Sequence, residues 1–356
     1  MKTKLQMVAK VLAFAIITFV FTAQFNEVLE EKTSTYTYNT FKKNGYDYDV
    51  LFVGASHVTW SIYPLDLKEN YGISSYNIAL EGAYPEMWYW IVKEALKYSA
   101  PKLIVIDPYL MTREIQLDNN ASLHQMLDVY PLDLDKVQAV MEFDEDYVRW
   151  GTLDKVGVLL KFPDYHTRIK ELTQSDFEAD DFVNEELNIV RNDTVISGIE
   201  FNDISRTSEV TDDYNNSMGY IEKTVKLCRD NGIEVLLAKT PNPSNEESMK
   251  YYNWCYTLAD KYDGVEYVDM DNTDVLLQYY APEQLYNYKG FTQLLDYSTD
   301  VSASSGTAES IKAMEDQSGA NQKGIYDNII HVNTSGAAKI TDFVGKYLTE
   351  NYSGLI

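Results

Sequence analysis

The residues of this chain that could do covalent chemistry are a serine near its beginning and a histidine near its end. Ser56 follows the apolar run Val50–Val53 and a Gly-Ala turn, and His331 lies in the stretch 326–333 together with Asp327. A serine hydroxyl becomes nucleophilic when a histidine accepts its proton, and a carboxylate on the far ring nitrogen fixes the tautomer of that histidine. Ser56, His331 and Asp327 are therefore the candidate nucleophile, base and orienting group.

Each of these residues also has an ordinary structural interpretation. A serine after a glycine often caps the helix that follows, so Ser56 could be an N-cap or a turn residue. His331 could bond the loop that precedes the last helix. The catalytic interpretation depends on whether the two stretches, which are far apart in the sequence, meet in the fold.

Apolar runs alternate with amphipathic helical patterns along most of the chain, as in a parallel sheet with right-handed crossovers. The expected strands are 49–53, 75–80, 103–106, 234–239 and 265–269, and the expected helices are 62–71, 88–98, 220–231, 246–261 and 334–348. We therefore predict an α/β fold, a three-layer α/β/α sandwich with a five-stranded parallel, flavodoxin-like sheet. With strand order 2-1-3-4-5, the first strand lies at the topological switch point and Ser56 lies in the ligand crevice.

Two segments interrupt this alternation. Residues about 111–210 are acidic and helix-like, which indicates a helical insertion after the third strand. Residues about 287–323 are rich in Ser, Gly, Asp and Gln without a sustained apolar period, which indicates a long loop. Both belong to an expected domain of residues 46–356, and a polar stem at 26–45 precedes it.

The chain begins with a basic segment followed by an apolar one. Lys2 and Lys4 precede the apolar run 11–23, and no small-residue cleavage site follows. This order is typical of a secretory signal whose basic end stays on the cytoplasmic side. We predict an uncleaved signal anchor at residues 1–25, a single transmembrane helix that leaves the rest of the protein outside the cytoplasm at the cell membrane. The alternative is a buried helix of the globular domain.

Composition argues against several functional classes. The 356 residues carry a formal net charge of −25, whereas nucleic-acid binding needs clustered Lys and Arg to neutralise phosphates. The two cysteines, Cys228 and Cys255, lack metal-ligand spacing, and the four histidines form no zinc pattern. We therefore predict no nucleic-acid partner, no metal and no cofactor.

The serine and histidine stretches together resemble the SGNH/GDSL hydrolase superfamily. The resemblance rests on Gly54-Ala55-Ser56-His57 after the first strand, and on Asp327 and His331-Val-Asn-Thr-Ser-Gly-Ala before the last helix. It covers the N-terminal anchor and residues 49–107, 220–270 and 326–348. Within the superfamily, the chain is similar to membrane-anchored members found with membrane-bound O-acyltransferases in bacterial cell-envelope polysaccharide modification. It is more remotely similar to alginate acetylation proteins and to the D-alanyl transfer protein of lipoteichoic acid synthesis.

The resemblance also implies an oxyanion hole. Its donors would be the backbone N–H of Ser56 and Gly82, the glycine that follows the second strand. Two positions depart from the family pattern. The Asn that family members carry after the third strand is absent, since that strand ends Ile106-Asp107-Pro108, and the Asp-x-x-His spacing is here Asp-x-x-x-His.

The function implied by the resemblance is that of a serine esterase or O-acyltransferase acting on acyl groups, acetyl in particular, of cell-envelope polysaccharide. Its partners would be an acylated glycan or acyl donor and a membrane-bound O-acyltransferase. The alternative, favoured by the two departures, is a catalytically inactive membrane-anchored adaptor that binds polysaccharide or such an acyltransferase. Four further residues are candidate substrate contacts: His57, Asp107, Lys239 and Asn333.

Overall fold

The structure is a computed structural model. It describes residues 2–29, 32–112, 121–143, 152–160, 166–177, 189, 207–241, 244, 246–280, 286–288, 291–293, 301–303, 330–332 and 334–356. The α-helices in this part of the chain are α1 (Lys2–Leu29), α2 (Lys32–Asn44), α3 (Ser56–Ser61), α4 (Pro64–Tyr71), α5 (Pro85–Ala95), α6 (Ala121–Leu127), α7 (Leu134–Phe143), α8 (Thr152–Leu160), α9 (Asn216–Asp230), α10 (Glu246–Lys261), α11 (Thr273–Leu276) and α12 (Thr334–Tyr352).

The strands are β1 (Val50–Val53), β2 (Ser75–Asn77), β3 (Leu103–Ile106), β4 (Glu234–Lys239), β5 (Val265–Asp269), β6 (Tyr286–Tyr288), β7 (Phe291–Gln293), β8 (Val301–Ala303) and β9 (Ile330–Val332). Short 3₁₀ helices lie at Gly45–Asp47, Tyr109–Thr112, His166–Lys170 and Gln174–Phe177.

The chain divides into two compact units. One combines Met1–Thr40 with Gln116–Val183, and the other combines Phe41–Ile115 with Asn184–Ile356. The described helices α6, α7 and α8 lie in the first unit, within the segment predicted as a helical insertion. The second unit contains the sheet.

The main sheet has five parallel strands in the order β2-β1-β3-β4-β5, as predicted. Val50 of β1 pairs with Leu103 of β3, which in turn pairs with Glu234 of β4. All four residues of β1 and all four of β3 are buried. Because neighbouring side chains of a strand point to opposite faces, such strands are covered on both sides, and continuous Val, Ile and Leu runs encode them.

Helices α4 and α12 cover one face of the sheet. Its apolar core on that face joins Val50 and Phe52 of β1 to Leu67 of α4 and to Ile340 and Phe343 of α12. Helices α5 and α9 contact each other, and α9 contacts β4. Since α12 is the last helix of the chain, its packing brings the C-terminal part of the sequence back to the first strand.

Two expectations about the C-terminal half need correction. Residues about 287–323 were expected to form a loop, but the described residues of this segment include strand β7, which pairs antiparallel with β6 (Tyr288 opposite Phe291), and strand β8. No strand was expected at His331, but it lies on β9, where it pairs antiparallel with Ser302 of β8. β8 and β9 are far apart in the sequence, and pairing of that kind leaves little local pattern from which it could have been predicted.

Two N-terminal expectations, the anchor and the polar stem, fall mostly on described helices. The predicted anchor falls on α1, and by length and apolar content no helix among the described residues qualifies to cross a membrane. Most of the predicted polar stem is helical, since α2 begins at Lys32.

Candidate active site

Ser56 is placed by a tight junction between β1 and α3. Ala55, in an extended conformation with φ −103° and ψ −156°, is the N-cap, and Ser56 is the first residue of the helix. A Cβ on Gly54 would lie 2.5 Å from Cγ2 of Val58 and 3.3 Å from Cβ of Asp107. Only glycine therefore lets α3 start this close to the sheet. Since the N-cap is Ala55, the Ser56 side chain does not occupy the capping position proposed for it as an alternative role.

His331 approaches Ser56 from the other end of the chain. Val332 and Ala337 anchor β9 and the start of α12 in the core, and His331 itself is 6% exposed. Its Nε2 lies 2.8 Å from Ser56 Oγ, a normal hydrogen-bond distance. The two stretches that the sequence analysis paired are thus in direct contact. With Nδ1 protonated, Nε2 accepts the Ser56 hydroxyl proton.

Burial lowers the pKa of His331 to about 4. The imidazole is therefore neutral at pH 7 and able to accept a proton there. The same burial opposes the imidazolium that forms when it does so, and a carboxylate would normally offset that cost. Asp327, the residue predicted for that role, lies outside the described residues.

Aromatic rings from α3 surround the imidazole of His331. The indole of Trp60 stacks on it with ring centroids 4.5 Å apart and an interplanar angle of 20°. His57 meets it edge-on at 5.2 Å. His57 is itself buried and stacks on Tyr109 with ring centroids 3.4 Å apart. This residue was predicted as a substrate contact, but in the structure its ring packs between Tyr109 and His331.

The turn that carries Gly82 is fastened to the end of β1. The N–H of Leu80 donates to the carbonyl of Gly54 over 3.2 Å, and the N–H of Ala83 donates to the carbonyl of Leu80 over 3.0 Å. Gly82 has φ +70°, a conformation that favours glycine. The candidate oxyanion turn and the strand that leads to Ser56 are therefore held together by backbone hydrogen bonds.

Asp107 occupies the end of β3, where the family pattern has other residues. It accepts hydrogen bonds from Thr240 Oγ1 over 2.7 Å and from the N–H of Tyr109 over 3.2 Å. Burial raises its pKa to about 6, although these hydrogen bonds act in the opposite direction. Asp107 thus ties β3 to the residue after β4, and its 2% exposure leaves little surface for the substrate contact predicted for it.

Lys239, at the end of β4, is fully buried. It forms an ion pair with Asp271 and lies 3.7 Å from a carboxylate oxygen of Asp269, and its ammonium group lies 5.0 Å from the ring centre of Tyr252. Burial acts to lower its pKa, but the two carboxylates raise it above its usual value. A substrate contact was predicted for Lys239, whereas its ammonium group has no exposed surface. Asn333, the fourth candidate contact, lies outside the described residues.

Two further residues at this site, Trp60 and Asn77, were not predicted from the sequence. Trp60 follows Ser56 by four positions, one helical turn, which places both on the same side of α3. Asn77 is buried at the end of β2, where its side chain donates to the carbonyl of Val58 and accepts from the N–H of Ala79. A polar residue at the end of an otherwise buried strand is the signal that could have identified it.

The described part of the chain contains no group of three or more His, Cys, Asp or Glu side chains that could hold a metal ion. Cys228 and Cys255 are both buried free thiols. A scan against protein-family models and a search of curated proteins each found no match.

Proposed function

We propose that this protein is a serine-dependent esterase or O-acyltransferase of the SGNH type. The observation that carries the proposal is the 2.8 Å contact between Ser56 Oγ and His331 Nε2 at the carboxyl end of β1. In a parallel sheet with this strand order, β1 lies at the topological switch point, where ligands bind. A neutral histidine against a serine hydroxyl at that position suits nucleophilic acyl transfer.

In the proposed reaction, His331 Nε2 takes the proton of Ser56 as Oγ attacks the acyl carbonyl carbon. The backbone N–H groups of Ser56 and Gly82 stabilise the oxyanion that forms. As the intermediate collapses, the bond from the acyl carbon to the leaving oxygen breaks and His331 protonates that oxygen. A sugar hydroxyl or water then attacks the acyl carbon of the acyl-serine and gives its proton to His331. The bond from the acyl carbon to Ser56 Oγ breaks, and His331 returns the proton to Oγ.

The proposed substrates are acyl esters of cell-envelope polysaccharide, with acetyl as the acyl group and a membrane-bound O-acyltransferase as partner. This choice rests on the sequence resemblance.

An extracytoplasmic location at a membrane is also part of the proposal. Supporting it, nine large apolar side chains of α1 are 48–73% exposed: Met7, Val8, Val11, Leu12, Phe14, Ile16, Ile17, Val20 and Phe21. Alkaline carbonate extraction of membranes, compared with and without residues 1–25, tests this location.

The decisive experiment is labelling with a fluorophosphonate probe, together with hydrolysis of p-nitrophenyl acetate. We expect the probe to modify Ser56, and we expect Ser56→Ala to abolish both labelling and hydrolysis without loss of folding. Ser61→Ala is the matched control, because Ser61 ends the same helix and its carbonyl, rather than its hydroxyl, accepts from Thr341. It should retain both signals.

Unchanged hydrolysis in Ser56→Ala would refute the proposed mechanism. Folded wild-type protein that reacts with neither reagent would favour the inactive adaptor instead. Binding of polysaccharide fragments to that unreactive protein would then be the property to measure.

A further inference from the structure

Nothing intrinsic to a histidine side chain fixes its ring plane, because its second side-chain torsion is broad. The proton transfer proposed here needs that plane fixed, since the Nε2 lone pair must point at Ser56 Oγ. The described contacts provide a fixed surface in Trp60, whose indole is nearly parallel to the imidazole at 20°. Trp60 is 8% exposed and so has little freedom to turn away.

The indole is held in turn by a single hydrogen bond. Trp60 Nε1–H donates to Oε1 of Glu81 over 2.9 Å. Glu81 is exposed and directly precedes Gly82, the candidate oxyanion glycine. This hydrogen bond therefore joins the indole that stacks on His331 to the turn that carries Gly82.

We infer that Trp60 is a positioning residue for His331, and that its hydrogen bond to Glu81 couples the orientation of the imidazole to the Gly82 turn. The inference rests on the proposed acyl-transfer function. It assigns neither residue a contact with substrate. Trp60 sets the ring plane, and Glu81 fixes the indole relative to the oxyanion turn, so that the proton acceptor and the oxyanion donors move as one unit.

The aromatic face has a second consequence for the reaction. When His331 accepts the proton, a cation forms in a buried setting, and the face of a tryptophan attracts such a cation. The titratable groups around this ring in the described structure are His57 from α3 and Glu81 behind the indole. Trp60 therefore supports the charged form of the base as well as its orientation.

The first test compares turnover of p-nitrophenyl acetate among variants. Trp60→Leu removes the planar face and should lower kcat by about tenfold to a hundredfold, with a much smaller change in KM, since misplacement of a reacting group affects the transition state most. Trp254→Leu is the matched control, because Trp254 is also 8% exposed but lies on α10 against Tyr214. It should retain the wild-type kcat.

A double-mutant cycle tests the coupling. Trp60→Phe keeps an aromatic face without the N–H, and Glu81→Ala removes the acceptor, so each should slow turnover by about fivefold, the rate equivalent of one hydrogen bond. The double variant should be no slower than either single variant, because both remove the same bond. Glu81→Gln retains an acceptor oxygen and should stay near wild type. Fully additive losses, or a wild-type rate in Trp60→Leu, would overturn the inference.

A measurement independent of activity separates this inference from the proposed function. A stacked indole shifts the ring protons of His331 upfield in the NMR spectrum, and that shift should disappear in Trp60→Leu and persist in Trp254→Leu. If wild-type protein does not react with fluorophosphonate, the proposed function fails while these shifts still report whether Trp60 holds the imidazole. Identical His331 resonances in wild type and Trp60→Leu would rule out the contact.

Discussion

His331, the proposed base of the candidate site, is buried. His331 is enclosed by its own strand and by α3, so its protonation is unfavourable and its pKa falls to about 4. A free histidine titrates near 6.5 and would lose its function as a base in mildly acidic surroundings. Burial therefore extends the pH range in which Ser56 has an acceptor for its proton.

This burial predicts the pH dependence of both activity and stability. The acid limb of kcat/KM should fall near pH 4, with a plateau above it, because only the neutral imidazole accepts the proton. Between pH 6.5 and 4 the unfolded state binds more protons at His331 than the folded state does. The free energy of unfolding should therefore decrease as the pH drops from 6.5 to 4, by up to about 3 kcal/mol.

Esterase rates and urea denaturation between pH 3.5 and 8 measure the two effects. The variant His331→Gln should lose the activity and should also lose this part of the pH dependence of stability. An acid limb at or above pH 6.5 would contradict the prediction, and it would indicate that a carboxylate such as Asp327 faces the imidazole.

Among the elements, the junction of β1 and α3 does the most to build the site. A buried strand delivers the chain to Gly54, and the helix that begins two residues later carries Ser56, His57 and Trp60 on its first turns. The helix has no room to move, because Val58 sits over Gly54 and Asp107 lies beside it. The position of Ser56 therefore depends on the absence of a Cβ atom at Gly54.

We expect Gly54→Ala to destabilise the protein by about 1–3 kcal/mol, since the added Cβ would overlap Val58 and the sheet cannot give way easily. Labelling of Ser56 should slow as well, because relief of the overlap moves α3. Gly219→Ala is the matched control: a Cβ there would meet Tyr214 Oη at an ordinary 3.5 Å, and alanine favours the helix. Urea denaturation and labelling rates would compare them. Wild-type behaviour of Gly54→Ala would show that the close packing is not required.

The strands differ in how well their positions could be predicted from the sequence. β3, β4 and β5 lie at their predicted residues because fully buried parallel strands are continuous apolar runs. β2 ends earlier than predicted, since the Asn77 side chain bonds the N–H of Ala79 and turns the chain. Trp60 escaped prediction because its function comes from a ring 271 positions away, which no local pattern records.

In the molecule as a whole, the carboxyl ends of β3, β4 and β5 carry a buried polar network. Asp107, Thr240 and Lys239 link the ends of β3 and β4, and Asp269 and Asp271 continue the network beyond β5. A buried ammonium group among three carboxylates is stable only while the charges compensate one another. This network holds three strand ends in register next to the strand that delivers Ser56.

Removal of the charge at Lys239 should therefore be costly. Lys239→Met leaves the carboxylates of Asp269 and Asp271 uncompensated and should destabilise the protein by about 3–5 kcal/mol. The double variant Lys239→Met/Asp271→Leu should recover part of this loss, because it removes both charges. Lys250→Met, which breaks a surface ion pair to Glu209, should change the free energy of unfolding little. A small effect of Lys239→Met alone in urea denaturation would contradict the prediction.

The pairing of β9 with β8 has a consequence for the order in which the site is completed. All five strands of the main sheet lie before residue 270, whereas Ser56 meets a histidine 275 positions further along the chain. During synthesis the sheet and the nucleophile junction emerge well before β9, and contacts of such long separation form last. Ser56 of the nascent chain therefore lacks its contact with His331 until β9 and α12 have docked, so that the proposed acyl chemistry depends on the last segment to fold.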